Sequence, residues 1–396
     1  MKLLILCILF FSFNLKAQVF KIGYLFDSQN AGWIKDQVLV VKDGVIVEMN
    51  PKEIDPALSV IDLSGQWVVP GLIDAHTHLF LNDETFSYDF SVGLKKWVNK
   101  DKDVKMALAS KRARQMKEAG FVLARDLGNQ GQVSENDISS IKDILVVSSG
   151  AGFAPQLGQL PPNSPKELSI EYRKLADGLE NHLYPIVKLF ADEEPNHEYA
   201  KLEDLKAFTT MAHKQNKLVA VHAILEKGIE LALASGADTL EHGSFMTDAQ
   251  LSKLAFTSMI FVPTNYQTLF LNPKRKTYFH EDSIRDFKQN CSNIRKAHRL
   301  GIPIAFGSDH YFDFPNEHFG ENLIEILIGL KKCGLTNNEL LKLATFNGAH
   351  TQNVYRVGKL APGYLAHFNV YKKSPALDLK NLLKIEMIFR DGKSIQ

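Results

Sequence analysis

The chain has 396 residues, a formal net charge of +1, 45% hydrophobic and 10% aromatic residues. That length holds a barrel domain of about 250 residues and a smaller companion. Near-neutral charge removes the electrostatic motive for binding nucleic acid or an anionic membrane surface.

The first seventeen residues differ from the rest. Lys2 supplies a short basic start, and Leu3 to Phe13 is an apolar run too short to span a bilayer. Leu15-Lys16-Ala17 places a small residue before Gln18. Residues 1–17 are therefore predicted to be a signal peptide, with the mature protein exported to the periplasm or secreted. No later segment is apolar enough for a membrane span. Cys7 lacks the small residues that precede a lipidated cysteine, which leaves Cys291 and Cys333. Their pairing stays open, and two cysteines cannot build a thiolate metal site.

From Gln18 to Val69 the pattern is one of short strands and turns, with Asp43-Gly44 between β-branched residues as a hairpin signal. A similar pattern returns at Ala366 to Tyr371 and Ile385 to Arg390, followed by Asp391-Gly392. The two ends are predicted to pair into a small β-sandwich domain (18–68 and 359–396), with 69–358 as a separate body. In that body, strands are predicted at Trp67 to His76, Phe121 to Asp126, Ile144 to Ser149, Ile186 to Ala191, Val219 to His222, Thr239 to His242, Ile260 to Thr264 and Ile304 to Ser308. Helical stretches alternate with them at Val104 to Ala119, Ser169 to Asn181, Leu202 to Gln215, Gly228 to Ser235, Asp282 to Leu300 and Glu321 to Lys332. Gly120, Gly236, Gly301 and Gly334 stand where helices end. Eight strands alternating with helices predict a (β/α)8 TIM barrel, an α/β fold. The basic runs Lys95-Lys96 and Lys111 to Arg114 read as solvated helix faces, and Pro155 to Pro165 as a long loop after the third strand.

Chemistry-bearing residues gather at strand ends. Asp74-Ala75-His76-Thr77-His78 closes the first barrel strand, and alternation puts both histidines on one side. Lys188 sits in Ile186-Val187-Lys188-Leu189-Phe190, where a buried ammonium without a partner is costly. His222, His242 and Asp309 end three further strands. Five strands ending in metal-ligand types, on the face where barrels place active sites, point to metal binding. Asp74 reads as a hydrogen-bonding residue one pleat deeper. Tyr266, His310 and Arg125 are candidates to reach a substrate, with pairing inside the protein as the alternative for Arg125. The loops Leu79 to Trp97, Gly152 to Pro165, Asp192 to Tyr199 and Tyr266 to His280 are expected to line the pocket. Their aromatics (Phe80, Phe86, Tyr88, Phe90, Phe270, Tyr278 and Phe279) hint at a ring-bearing substrate.

Taken together, Val69-Pro-Gly-Leu-Ile-Asp-Ala-His-Thr-His78, Arg125-Asp-Leu-Gly128, Gly236-Ala-Asp-Thr-Leu-Glu-His-Gly243, Gly307-Ser-Asp309 and Gly358-Lys-Leu-Ala-Pro-Gly363 resemble the amidohydrolase superfamily. Within it, the chain is similar to Xaa-Pro dipeptidase (prolidase) and imidazolonepropionase-like hydrolases. The resemblance implies two divalent metal ions, with Zn2+ favoured by an all-N/O ligand set. His76, His78 and Asp309 would hold one, and His222 and His242 the other. Lys188, carboxylated by CO2, would bridge them. It also implies Asp309 as general base and acid for a water attacking an amide in a dipeptide or N-acyl amino acid. Imidazolonepropionases use one metal and lack the lysine, so Lys188 favours the dipeptidase-like branch. Ile224 departs from that branch, which often carries Tyr or His there. Alternatives are hydrolysis of a cyclic amide, carbamate or ester, and a non-catalytic metal-binding protein. Gly307-Ser308-Asp309 lacks the nucleophile elbow of serine hydrolases. The expected partner is a small molecule; a homo-oligomer is compatible with the sequence but not specified by it.

Overall fold

The computed structural model describes residues 17–82, 97, 99–129, 133–150, 152, 184–193, 198–278, 281–352 and 356–395. The predicted signal peptide up to residue 16, the loop 155–165 and the predicted helix 169–181 lie outside the described residues, as do Phe86, Tyr88, Phe90 and Phe279.

The chain opens with β1 (Gln18–Asp27), β2 (Gly32–Lys42), β3 (Val45–Met49) and β4 (Ser59–Pro70). Asp43 and Gly44, both at positive φ (52° and 80°), form the tight turn between β2 and β3, as hairpin twist demands. The body then follows: β5 (Leu72–Thr77), helix Lys102–Glu118, β6 (Phe121–Asp126), helix Glu135–Ser139, β7 (Leu145–Ser148) and β8 (Ile186–Phe190). A short ribbon, β9 (Asp192–Glu193) and β10 (Glu198–Tyr199), precedes helix Leu202–Lys214, β11 (Leu218–Ala223), helix Glu226–Ser235, β12 (Thr239–His242), helix Asp248–Leu254 and β13 (Ile260–Val262). Helices Glu281–Arg299 and Phe319–Gly329 come next, and β14 (Phe368–Tyr371), β15 (Ile385–Arg390) and β16 (Lys393–Ser394) end the chain.

The two chain ends do meet, but as one seven-stranded mixed sheet in the order β16-β15-β14-β4-β1-β2-β3. No second sheet packs against it among the described residues. The sheet instead curls, and hydrogen bonds from Ile46 to Tyr364 and from Ala366 to Gly44 tie β3 to the segment before β14. Phe20, Leu39, Ile46, Leu63, Phe368 and Phe389 fill the concave side. Curling buries one face of a sheet just as a second sheet would.

Parallel strands form two groups, β5-β6-β7 and β8-β11-β12-β13. β5, β6 and β12 are buried at every position, as parallel strands covered on both faces should be. The predicted strand Ile304 to Ser308 is an extended segment with isolated bridges only, Ile304 to Phe261 and Gly307 to Thr264. It nevertheless joins the groups: Ala75 donates to the Phe306 carbonyl and Asp309 to the His76 carbonyl, at 2.8 and 2.6 Å. The predicted strand Trp67 to His76 is in fact two. Residues 67–70 pair with β14, and the chain passes into β5 at Gly71, where a Cβ would lie 2.0 Å from Val122 Cγ1. No larger residue fits that crossing between the sheet domain and the body.

The predicted solvated face of helix Lys102–Glu118 holds for Lys111 and Arg114, which are exposed, but Arg112 of the same run is buried. Phe80 and Phe270, expected at the pocket, belong to the core. Cys291 is bonded to Cys333, 42 positions away, tying helix Glu281–Arg299 to the turn after helix Phe319–Gly329. Closing a loop of that size raises stability by roughly 2–4 kcal/mol through the unfolded state. Reduction should therefore lower the denaturant midpoint of unfolding, and Cys291→Ser should reproduce the shift without reductant. Equal midpoints with and without reductant would show that the bridge does not stabilise the fold.

Candidate metal centre

His76 and His78 leave β5 on the same side, and the bridge from Asp309 N to His76 O lays the Asp309 segment beside them. Ligand atoms of His76, His78 and Asp309 consequently lie within 4.8 Å of one another. Asp309 Oδ1 is 3.1 Å from His78 Nε2 and 3.5 Å from His76 Nε2, and its Oδ2 is 3.7 Å from His242 Nδ1. The rings of His76 and His242 are 5.1 Å apart and those of His222 and His242 4.4 Å. Three imidazoles thus surround one carboxylate, and the fourth, His222, stands beside His242.

Each histidine has one ring nitrogen taken by the protein. His76 Nδ1 faces Glu241 Oε2 at 2.7 Å, His78 Nδ1 the Gly128 carbonyl at 3.3 Å, and His242 Nδ1 the Thr264 hydroxyl at 2.8 Å. His222 is held from the other side, its Nε2 lying 3.4 Å from Asp192 Oδ1. The nitrogens left over are Nε2 of His76, His78 and His242, and Nδ1 of His222. This is how ligating histidines are oriented, by a partner on the far nitrogen. Burial, reinforced by the Lys188 charge, holds His76 and His222 well below the usual imidazole range, and burial beside His222 and His76 does the same for His242. All three are neutral, the ligating form. His76 Nε2 is buried with no hydrogen-bond partner among the described residues. An inward nitrogen of that kind, beside a carboxylate and neutral imidazoles, fits a divalent cation.

Two of the candidate ligands are held in strained backbone. His242 and Asp309 adopt φ of 70° and 54°, a region that costs non-glycine residues roughly 1–3 kcal/mol and collects at functional sites. Gly307 permits the approach of the Asp309 segment, since a Cβ there would lie 2.7 Å from His76 Cβ and 2.5 Å from Val262 Cγ1.

Lys188 pairs in register with Ala220, which is level with Thr239, two residues below the His222 and Glu241 pair. Its long side chain is 2% exposed and has no ion-pair partner within 4.0 Å among the described residues. Burial draws its ammonium down to about 8.

The remaining sequence candidates are placed differently. Arg125 is fully buried, donating from Nε to the Ala75 carbonyl, from NH1 to Thr239 and the Thr351 carbonyl, and from NH2 to Glu241 Oε1 at 2.7 Å. Its donors are spent inside the protein, the alternative expected for it, with Glu241 as the ion-pair partner. His310 is likewise fully buried, its ring stacked 4.6 Å from Phe319 and edge-on to Phe312 at 4.6 Å. Tyr266 is half-buried, next to Tyr311 at 5.7 Å; the Tyr311 ring stands 6.4 Å from His78. Asp74 accepts from the Ser308 and His76 amides at 2.9 and 3.2 Å, and burial raises it to about 7.

Sequence reasoning missed Glu241 and Asp192. Glu241 stands one residue before His242 in the quoted Leu-Glu-His-Gly motif, where its fixed spacing to a ligand was the available signal. Asp192 caps helix Glu226–Ser235, accepting from the Ile224 and Leu225 amides. Gly228 makes room for it, because a Cβ there would fall 1.9 Å from Asp192 Oδ2. Glu241→Gln leaves Arg125 as a buried cation without its counter-charge, which costs roughly 3–5 kcal/mol. The same change weakens the hold on His76, so cation affinity should fall about 10–100-fold. Denaturant unfolding and metal titration read the two effects. Wild-type values for both would remove Glu241 from the site.

Comparison with known proteins identifies the family. The sequence matches the amidohydrolase family over residues 67–395. An imidazolonepropionase of Deinococcus deserti is 23% identical over 374 residues, 87% of this chain and 88% of that protein. An ochratoxinase of Aspergillus niger is 23% identical over 373 residues, 83% of this chain and 73% of its own length. A solved structure of a Xaa-Pro dipeptidase with bound methionine superimposes with a TM-score of 0.80 at 20% identity, covering 96% of this chain and 100% of that one, and so shares its fold. The family match spans most of the chain, and the protein belongs to the amidohydrolase family.

Proposed function

We propose that the protein is a binuclear metal-dependent hydrolase that cleaves an amide bond in a small substrate such as a dipeptide or N-acyl amino acid. The convergence of His76, His78 and Asp309, with His222 and His242 beside them, carries this reading. His76, His78 and Asp309 would hold one cation and His222 and His242 the second, with Zn2+ the favoured metal. Lys188 would join the two as a carbamate: its neutral amine forms an N–C bond to CO2 and a proton leaves. That reaction replaces a buried cation lacking an ion-pair partner by an anionic oxygen donor. Divalent cations held there supply Lewis acidity and acidify water at neutral pH.

The chain's own residues do the rest. Asp309, centred among the imidazoles, accepts the proton of the water whose oxygen attacks the carbonyl carbon. It returns that proton to the nitrogen as the C–N bond breaks. Its left-handed backbone aims the carboxylate, and the bond from its amide to His76 O fixes it to β5. Glu241 holds the outer nitrogen of His76, which keeps the inner one deprotonated, and Thr264 fixes the His242 ring through Nδ1.

The eight-stranded (β/α)8 barrel belongs to this proposal too. Parallel order runs β7-β6-β5, then the Ile304–Asp309 segment, then β13-β12-β11-β8. The outer members approach one another after β7, where a Cβ on Gly152 would lie 2.5 Å from the Phe190 ring. Export is supported by the Cys291–Cys333 bond, since disulfides persist in oxidising compartments.

Two measurements test the reading. Metal analysis of protein purified without chelators should find two cations per chain, falling to one or none in Lys188→Ala. A single cation unaffected by the substitution would turn the reading to ring-opening of cyclic amides. Asp309→Asn, assayed on a library of dipeptides and N-acyl amino acids, should lose at least about a hundredfold in kcat, the usual scale of acid–base catalysis. Turnover near wild type would rule out Asp309 as the proton carrier.

A further inference from the structure

Arg112 lies in one of the two basic runs expected to face solvent, yet it is fully buried. Its guanidinium donates to the carbonyls of His78 (3.0 Å), Leu79 (3.2 Å) and Leu81, and to Asn82 Oδ1 (3.3 Å). On the other side its Nε meets Asp313 Oδ1 at 3.5 Å, and the guanidinium plane covers the Phe319 ring at 4.8 Å. The carbonyls belong to the segment that continues from His78, and Asp313 to the segment that continues from Asp309. Those two segments run together for several residues: Asp309 N donates to His76 O, His78 N to His310 O, and Thr77 Oγ1 to His310 O. Beyond His310 and His78, Arg112 connects the two segments. A planar fork with five donors can bind several carbonyls and a carboxylate at once, which a lysine cannot.

We propose that Arg112 is a positioning residue that locks the His78 and Asp309 segments side by side and so sets the affinity for the cation those residues share. The proposal rests on the metal-centre reading, but concerns a residue that touches neither cation nor substrate. Removing the fork frees the carbonyl end of His78 from Asp313. The His76/His78/Asp309 set then loses its fixed spacing, while His222 and His242, held by Asp192 and Thr264, keep theirs. The two cations should therefore respond unequally, which general destabilisation does not produce.

Co2+ titration of the metal-free full chain, followed by visible absorption, reads this directly. It is run on wild type, Arg112→Met, Arg112→Lys and Asp313→Asn, with thermal unfolding of each protein alongside. In Arg112→Met one of the two Co2+ equivalents should bind roughly 10–100-fold more weakly, with an altered absorption band, and the other should bind as in wild type. Arg112→Lys should recover part of the loss, and Asp313→Asn should show the same change at smaller amplitude. A folded Arg112→Met protein that binds both equivalents with wild-type affinity and spectrum overturns the proposal. Should Arg112→Met fail to fold, Arg112→Lys and Asp313→Asn decide by the same criterion. Wild type that binds no Co2+ would overturn the metal-centre reading itself, and this inference with it.

Discussion

Glu241 is fully buried, and its two carboxylate oxygens are divided between two tasks. Oε1 meets the Arg125 guanidinium and the Thr239 hydroxyl, and Oε2 meets His76 Nδ1. Either charge alone would be expensive at that depth. Together they form a neutral unit that links β6, β12 and β5, because Arg125 also binds the Ala75 carbonyl. The same unit fixes which His76 nitrogen faces the site. Structural integrity and ligand orientation therefore rest on one ion pair, and neither can be altered without the other.

Around that pair the architecture concentrates its exceptions. Left-handed φ at His242 and Asp309, a glycine at 307 where no Cβ fits, and an inward nitrogen on His76 with no hydrogen-bond partner among the described residues all meet in one cluster. Each is unfavourable locally and must be compensated by the packing around it. The compensation comes from strands buried on both faces and from buried cations at two depths. Arg125 lies below the ligands, and Arg112 joins the carbonyl ends of the chain segments that continue from two of them. Helix Lys102–Glu118, which carries Arg112, packs on helix Phe319–Gly329 so closely that a Cβ at Gly320 would lie 2.2 Å from the Gln115 carbonyl. That contact sets Arg112 over Phe319.

Legibility in the sequence followed a physical rule. Strand periodicity and the habit of placing function at strand ends pointed to His76, His78, Lys188, His222, His242 and Asp309 as candidates, because these are one-dimensional signals. Asp-Gly turns and helix-terminal glycines were equally readable, and Gly120, Gly236, Gly301 and Gly334 all take positive φ. Pairings distant in the chain were not readable. Arg125 and Glu241 are separated by 116 positions and Arg112 and Asp313 by 201, and a buried charge is spelled like an exposed one. The continuous apolar run through Gly71 concealed a passage from one sheet to another. Alternation at the chain ends could show that one face is buried, but not whether a second sheet or curling of the first covers it.

The account stands on cations bound between these side chains, and anomalous X-ray diffraction from crystals of the native protein at the absorption edge of the bound metal tests it most directly. It predicts two anomalous peaks, one among His76, His78 and Asp309 and one between His222 and His242, with density joining both to Lys188 Nζ. A single peak with Lys188 unbound, or no peak at these residues, would contradict it.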